Sequence, residues 1–204
     1  MRSYKHILGV SSLLFAILLS YLYFDRPLAQ WCKQYCVGSC HTFFATITTV
    51  GMSSPYLIGS ALLYFYFLYF KKSLPFSHHA LLLFSSVAFA GIVTDTLKVF
   101  LGRFRPCMLF EQGLYGFDFF HIQLATTSFP SGHTTTVFAV AMVVSLYWSR
   151  WAVIAWSVAV VVGLSRIMLS AHYLSDVIAG AVVGIMSVKI LVYYWPKRWR
   201  LDTT

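Results

Sequence analysis

The chain has 204 residues, of which 59% are hydrophobic and only 10% charged, and its mean hydropathy is +0.73. Ordinary soluble domains are about 25% charged, so too few polar side chains remain here to clothe a soluble surface, which excludes a disordered chain and argues against a cytosolic enzyme. Fifteen Lys and Arg against six Asp and Glu leave a net charge of +9; in so apolar a chain that excess speaks against nucleic acid as a partner and for anionic lipid or phosphate.

A membrane-spanning helix takes about 20 mainly apolar residues. Six stretches come close, in chain order. Ile7–Phe24 is free of charge and lies between Lys5 and Asp25. Ser54–Phe70 is apolar and aromatic and stops at Lys71-Lys72. His79–Leu97 is apolar except for Asp95. Thr134–Trp148 is short and ends at Ser149-Arg150. Trp151–Leu169 is interrupted only by Arg166, and Leu174–Trp195 contains Asp176 near its start and Lys189 near its end. Phe43–Gly51 is too short to span and reads as an interfacial or re-entrant piece. The predicted fold is all-α: a polytopic bundle of six transmembrane helices forming one domain over 1–204, with no internal repeat or low-complexity tract. The first stretch has the basic end of a signal peptide, but no small-x-small site precedes Asp25-Arg26, so it is expected to remain as a span.

Lys and Arg placement orients the bundle. With the N-terminus cytoplasmic, the inner segments hold Arg2, Lys5, Lys71, Lys72, Arg150, Lys197, Arg198 and Arg200, and the outer loops hold Arg26, Lys33, Lys98, Arg103, Arg105 and Arg166. Four of the six outer cations fall in two loops, around 98–106 and 165–176. If those four serve a site, the remaining bias is clear and both termini are cytoplasmic. Cys32, Cys36, Cys40 and Cys107 then all lie outside, where an even number suggests disulfides. A metal site with His41 and free thiols are the alternatives.

Polar groups at a bilayer are costly and tend to be functional. Three clusters share the proposed outer side: Lys98-x6-Arg105-Pro106, then Pro130-Ser131-Gly132-His133, then Ser165-Arg166-x5-His172-x3-Asp176. Lys98, Arg105 and Arg166 are three cations from separate helix ends; Arg matches phosphate oxygens two at a time and Lys adds a compact charge. Ser131 and Gly132 open an apolar helix, whose first N–H groups and dipole favour an anion. His172 and Asp176, four residues apart, share a helix face. A carboxylate there fixes the imidazole tautomer and leaves the other nitrogen free to attack. His133 is placed to protonate a leaving oxygen. These are the parts that phosphoryl transfer requires.

With these residues the sequence resembles the type-2 phosphatidic-acid phosphatase superfamily, whose membrane lipid phosphatases share their site with soluble acid phosphatases and vanadium haloperoxidases. All three motifs match in order across Lys98–Asp176. The resemblance implies that His172 attacks phosphorus to give a phosphohistidine, that Asp176 orients it, and that His133 is acid and then base. It also implies that Lys98, Arg105, Arg166, Ser131 and the Gly132 N–H hold the phosphoryl oxygens, with Ser165 in a less defined role. No metal or other cofactor is implied, because the cations do that work. The expected partners are a lipid phosphate and the bilayer, with no nucleic acid and no obligate protein partner. The expected location is the bacterial cytoplasmic (inner) membrane, with the site facing the periplasm.

Compact bacterial members act on undecaprenyl pyrophosphate, lipid A phosphates, phosphatidylglycerol phosphate or phosphatidic acid. All four present a phosphate, so the motifs do not choose. The outer-facing site favours undecaprenyl pyrophosphate or lipid A. A lipid phosphotransferase shares the same intermediate, and a transporter is the alternative of another class, although it would place ionisable groups along several span centres. A vanadate-dependent peroxidase remains a distant option. Outside the motifs, Arg103 is expected to touch lipid head groups and Asp95 to partner a cation. His78, His79 and His121 are expected in loops or interfaces. The aromatic run at 64–70 is expected to face lipid or to pack. The loop Cys107–Phe129 is expected to frame an opening for a lipid tail.

Overall fold

The structure is a computed structural model that describes residues 2–120 and 123–195. His121 and the cations Lys197, Arg198 and Arg200 lie outside the described residues. Those described residues are helical, with no β-strand beyond one isolated bridge between Arg103 and Phe117. α1 (Arg2–Leu19) runs through a π-helical turn at Ser20–Phe24 into α2 (Asp25–Tyr35). α3 (Ser39–Thr48) ends in a short 3₁₀ turn, and α4 (Ser53–Phe65) ends in a second π turn at Tyr66–Phe70. Then follow α5 (Leu74–Leu101), α6 (Pro106–Gln112), α7 (Gly132–Tyr147), α8 (Ala152–Met168) and α9 (Leu174–Tyr194).

Among the described residues, four helical stretches are long and apolar enough to cross a membrane: Ser11–Tyr35, Leu74–Leu101, Ser149–Met168 and Leu174–Tyr194. Gly132–Tyr147 is apolar but shorter. All six stretches predicted from hydropathy are therefore helical, and four of them have the full length. One boundary differs from the expectation. The first helix does not stop at Asp25 but continues to Tyr35, because Asp25 is buried and bonded there rather than solvated. The piece at 43–51 forms the end of α3 and its 3₁₀ turn, and α3 packs against α8.

Local chemistry sets the helix ends. Pro75 and Pro106 open α5 and α6, where a missing N–H costs nothing. Gly102 closes α5 in the left-handed region at φ 54°, and a Cβ there would meet the Asp118 carbonyl oxygen, so the turn that delivers Arg103 and Arg105 requires glycine. The Asp176 carboxylate accepts the Tyr173 N–H at 2.9 Å and so caps α9.

The interior is made of small side chains and the exterior of large ones. Ala90, Ala139, Val143 and Val188 join α5, α7 and α9; Val137, Ala141, Ala159 and Val162 join α7 and α8. Gly180 lets α9 approach the start of α7 so closely that a Cβ would lie 2.6 Å from the Ser131 carbonyl oxygen. Meanwhile Leu62, Phe70, Ile92, Val153, Ile154 and Tyr194 are exposed. This is the distribution expected where lipid is the solvent, since hydrocarbon is no better avoided by leucine than by itself and helices associate through small residues. α7 is thus the central helix, packed on α5, α8 and α9. The aromatic run conforms to expectation, with Phe65, Tyr66, Tyr69 and Phe70 on the outer surface. His78 and His79 lie in the second turn of α5, and His79 packs on Tyr147 at the end of α7, 4.0 Å between ring centroids. Cys32, Cys36, Cys40 and Cys107 are free thiols, against the expected disulfides. Cys32 is instead in the core, its thiol directed at the Met168 sulfur 3.8 Å away.

Candidate active site

Antiparallel packing brings four helix termini to one end of the bundle: the C-termini of α5 and α8 and the N-termini of α7 and α9. Each predicted residue comes from one of these ends or from the turns beside them. The Ser131 N–H donates to the Asp176 carbonyl at 3.0 Å, joining the second and third motifs. The Lys98 ammonium lies over Gly132: a Cβ on that glycine would be 3.3 Å from Nζ. Lys98 also pairs with Asp95 at 3.4 Å, so Asp95 has the cation partner expected of it. His133 is within electrostatic reach of Arg166, His172, Lys98 and Arg105. A cavity of about 200 Å³ opens between the starts of α4 and α7 and the end of α5, lined by Thr94, Asp95, Lys98, Gly132, His133 and Thr136 among others. A larger groove of about 380 Å³ lies between α1, α7 and α9, but its lining is apolar apart from Lys189 and offers no phosphate cradle.

The three cations are held differently. Arg105 donates to the Thr127 carbonyl at 3.5 Å, and burial pushes its guanidinium below the usual range. Arg166 donates to Thr48 Oγ1 at 2.7 Å, which ties the end of α8 to the end of α3. Among the described residues, the Nε atoms of both arginines have no hydrogen-bond partner. Ser131 is fully buried at the start of α7, where its hydroxyl accepts from Thr134 at 3.0 Å. Ser165 merely bonds back to the Val162 carbonyl within its own helix at 2.6 Å.

His172 sits in the turn between α8 and α9, is 3% exposed, and has Nδ1 3.5 Å from Asp176 Oδ2 and 3.4 Å from Ser128 Oγ. Nδ1 thus faces the carboxylate, and Nε2 lies on the opposite side of the ring. Burial pushes the imidazole pKa down to about 4, helped by Arg105 and Arg166 and opposed by the Asp176 carboxylate. At neutral pH the ring is therefore uncharged, which a nucleophilic imidazole requires.

Sequence reasoning missed the group behind Asp176. Arg103 does not touch lipid head groups: it is wholly buried. Its guanidinium binds Asp176, Ser175 Oγ at 2.6 Å and Asp25 at 2.6 Å. The Asp25 carboxylate also accepts from the Ser175 N–H, from Ser20 at 2.9 Å, and from the Ser175 hydroxyl. Burial alone would lower the Arg103 pKa, but Asp176 and Asp25 together drive it well above the ordinary value. Tyr21, Tyr115, Phe117, Phe129 and Tyr173 surround it, with ring centroids 4.5–5.9 Å from the guanidinium carbon. Ser128 was missed as well; it donates to Asp176 Oδ2 at 2.6 Å. A sequence signal for Asp25 existed: it is the sole acidic residue in the first 94 positions, at the end of a long apolar run.

The fold and site define a membrane-type helical bundle with a cationic cradle and two histidines at one end. The sequence profile of the PAP2 superfamily matches residues 79–200, and the chain belongs to that superfamily. It is similar to a lipid A 1-phosphatase of Rhizobium etli, 41% identical over 102 residues that make up 50% of this chain and 44% of the relative. The chain therefore spans less than half the length of that relative. Its fold resembles the crystal structure of Aquifex aeolicus LpxE, with TM-score 0.63 and 25% identity over 83% of this chain and 95% of the other. It also shares the fold of a transmembrane PAP2-type phosphatidylglycerolphosphate phosphatase from Bacillus subtilis, with TM-score 0.59 and 18% identity over 92% and 97% of the two chains.

Proposed function

We propose that the chain is a metal-independent membrane lipid phosphatase that works through a phosphohistidine on His172, with a lipid A phosphate as its foremost substrate. The observation that carries this reading is the meeting of Lys98, Arg105 and Arg166 around two histidines at one end of an apolar bundle. The substrate choice is supported by the similarity to a lipid A 1-phosphatase. In the first step the lone pair of His172 Nε2 attacks phosphorus and the bond from phosphorus to the lipid oxygen breaks. His133 gives its proton to that oxygen. In the second step His133 takes a proton from water, the water oxygen attacks phosphorus, and the P–N bond breaks to free phosphate. Lys98, Arg105, Arg166, the Ser131 hydroxyl and the Gly132 N–H hold the three equatorial oxygens throughout, so charge is stabilised where it develops. Asp176 steadies the imidazolium-like ring of the intermediate.

In this reading the 204 residues act as one domain. Six helical stretches span the cytoplasmic membrane, with both termini cytoplasmic and the site on the periplasmic face. The acyl chains of the substrate stay in the bilayer while its phosphate reaches the cradle. A panel of lipid A, undecaprenyl pyrophosphate, phosphatidylglycerol phosphate and phosphatidic acid, assayed for phosphate release in detergent with and without EDTA, tests the proposal. Release is expected, greatest from lipid A and unchanged by EDTA. Loss on chelation would remove metal independence, and phosphate moved to an acceptor lipid instead of water would show a phosphotransferase.

The pH dependence follows from His172. Because its pKa is lowered to about 4, the nucleophile stays unprotonated well into the acid range. The acid limb of kcat/KM is expected near that value rather than near the roughly 6.5 of an ordinary histidine. A limb at or above 6.5 would show that another group carries the attack.

A further inference from the structure

We infer that Asp25, at the junction of α1 and α2 and outside the family-matched segment, is a positioning residue for the reaction: through Arg103 it sets the net charge behind Asp176 and so the basicity of His172. The inference rests on the phosphatase reading for its kinetic meaning, but its physical content does not depend on turnover. Asp25, Arg103, Ser175 and Asp176 are each no more than 1% exposed. Arg103 bridges the two carboxylates, one through Nη1 and the other through Nη2. Ser175 links Asp25 to the same guanidinium and gives it the backbone N–H from the first turn of α9. Two carboxylates and one guanidinium leave this sealed group with a net charge of minus one. That charge lies directly behind the Nδ1 face of His172.

The sign matters. An Arg103–Asp176 pair alone would be neutral, and Arg103 would draw the Asp176 electron density away from the imidazole. Asp25 occupies the other half of the fork and supplies the odd negative charge. The phosphohistidine carries positive charge on its ring, so the net minus one favours it over the resting state. The other groups facing His172 are Arg105, Arg166, His133 and Ser128. The two arginines and His133 oppose an imidazolium, and Ser128 is neutral, so among the described residues named here the anionic contribution comes from the Asp25–Arg103–Asp176 group.

The test is the titration of His172 in the purified full chain, read in two ways: the acid limb of phosphate release, and the imidazole resonances of isotopically labelled histidine by NMR. Asp25→Asn removes the charge in nearly the same volume. The limb and the NMR midpoint are expected to move down by about one pH unit, with kcat lowered about tenfold. The double variant Asp25→Asn with Arg103→Met loses one charge of each sign and keeps minus one on Asp176. Its midpoint is expected to return to that of the wild type while kcat stays low, a recovery that a merely structural role for Asp25 would not give. Asp25→Glu keeps the charge and must also titrate as wild type, so it carries the test if Asp25→Asn does not survive extraction. An unchanged midpoint in Asp25→Asn, or a displaced midpoint in the double variant or Asp25→Glu, overturns the inference. If the wild type releases no phosphate from any lipid, the proposed function fails while the NMR titration still decides the charge coupling.

Discussion

Substitution of His172 by alanine is expected to lower phosphate release from any accepted lipid by about 10⁴-fold or more, because the nucleophile is the one group for which the cradle has no substitute. The protein is expected to survive the change. The polar contacts of the imidazole are long, at 3.4 and 3.5 Å, and the backbone of the turn is fixed independently by the Ala171 and His172 N–H groups donating to the Arg166 carbonyl. Elution as a monodisperse species in detergent, together with retained binding of vanadate, would confirm an intact cradle. Turnover within tenfold of wild type would refute the assignment of His172 and direct attention to His133 or to direct attack by water.

Substitution of Arg103 by methionine is expected to have the largest effect on stability. It removes the cation that two fully buried carboxylates share. A hydrophobic replacement of an entire buried ionic group can be neutral, but removal of one partner strands the other charges at a cost of about 3–5 kcal/mol. For a chain of this size that corresponds to a fall in Tm on the order of 10 °C. Adding Asp25→Asn removes one of the two stranded charges and is expected to recover part of the loss. A Tm unchanged in Arg103→Met, measured by thermal denaturation in detergent, would mean that the guanidinium contributes nothing to holding α2 against α9.

The parts of this molecule that hydropathy and spacing control were legible in the sequence. Helical character of the six apolar stretches follows from length and composition, and the three motifs come together because alternate helices run antiparallel and each motif lies at a helix end. Lys98 and Gly132 are adjacent, as are Ser131 and Asp176, although more than 30 residues separate the members of each pair. What escaped was pairing that periodicity does not encode. Arg103 and Arg105 are two residues apart in the same turn, yet one is sealed among five aromatic rings and the other lies beside the histidines. Nothing in local spacing distinguishes them; the difference depends on Asp25, 78 residues away. The helix continuing past Asp25 was illegible for the same reason, since an acidic residue after an apolar run reads as a solvated flank until its buried partner is known. The cysteines show the converse. Their even number and confinement to one side suggested bridges, but Cys32 is used as a small apolar core residue beside Met168.

The account depends on a covalent bond between phosphorus and His172. The direct measurement is to mix the purified protein with a radiolabelled lipid A phosphate, quench within the first turnovers in alkali, where phosphohistidine is stable, and map the label by proteolysis. Label on the peptide containing His172, lost on acid treatment and absent from His172→Ala, is the predicted result. Phosphate released at the full rate with no label on the protein, or with label on any other residue, would contradict it.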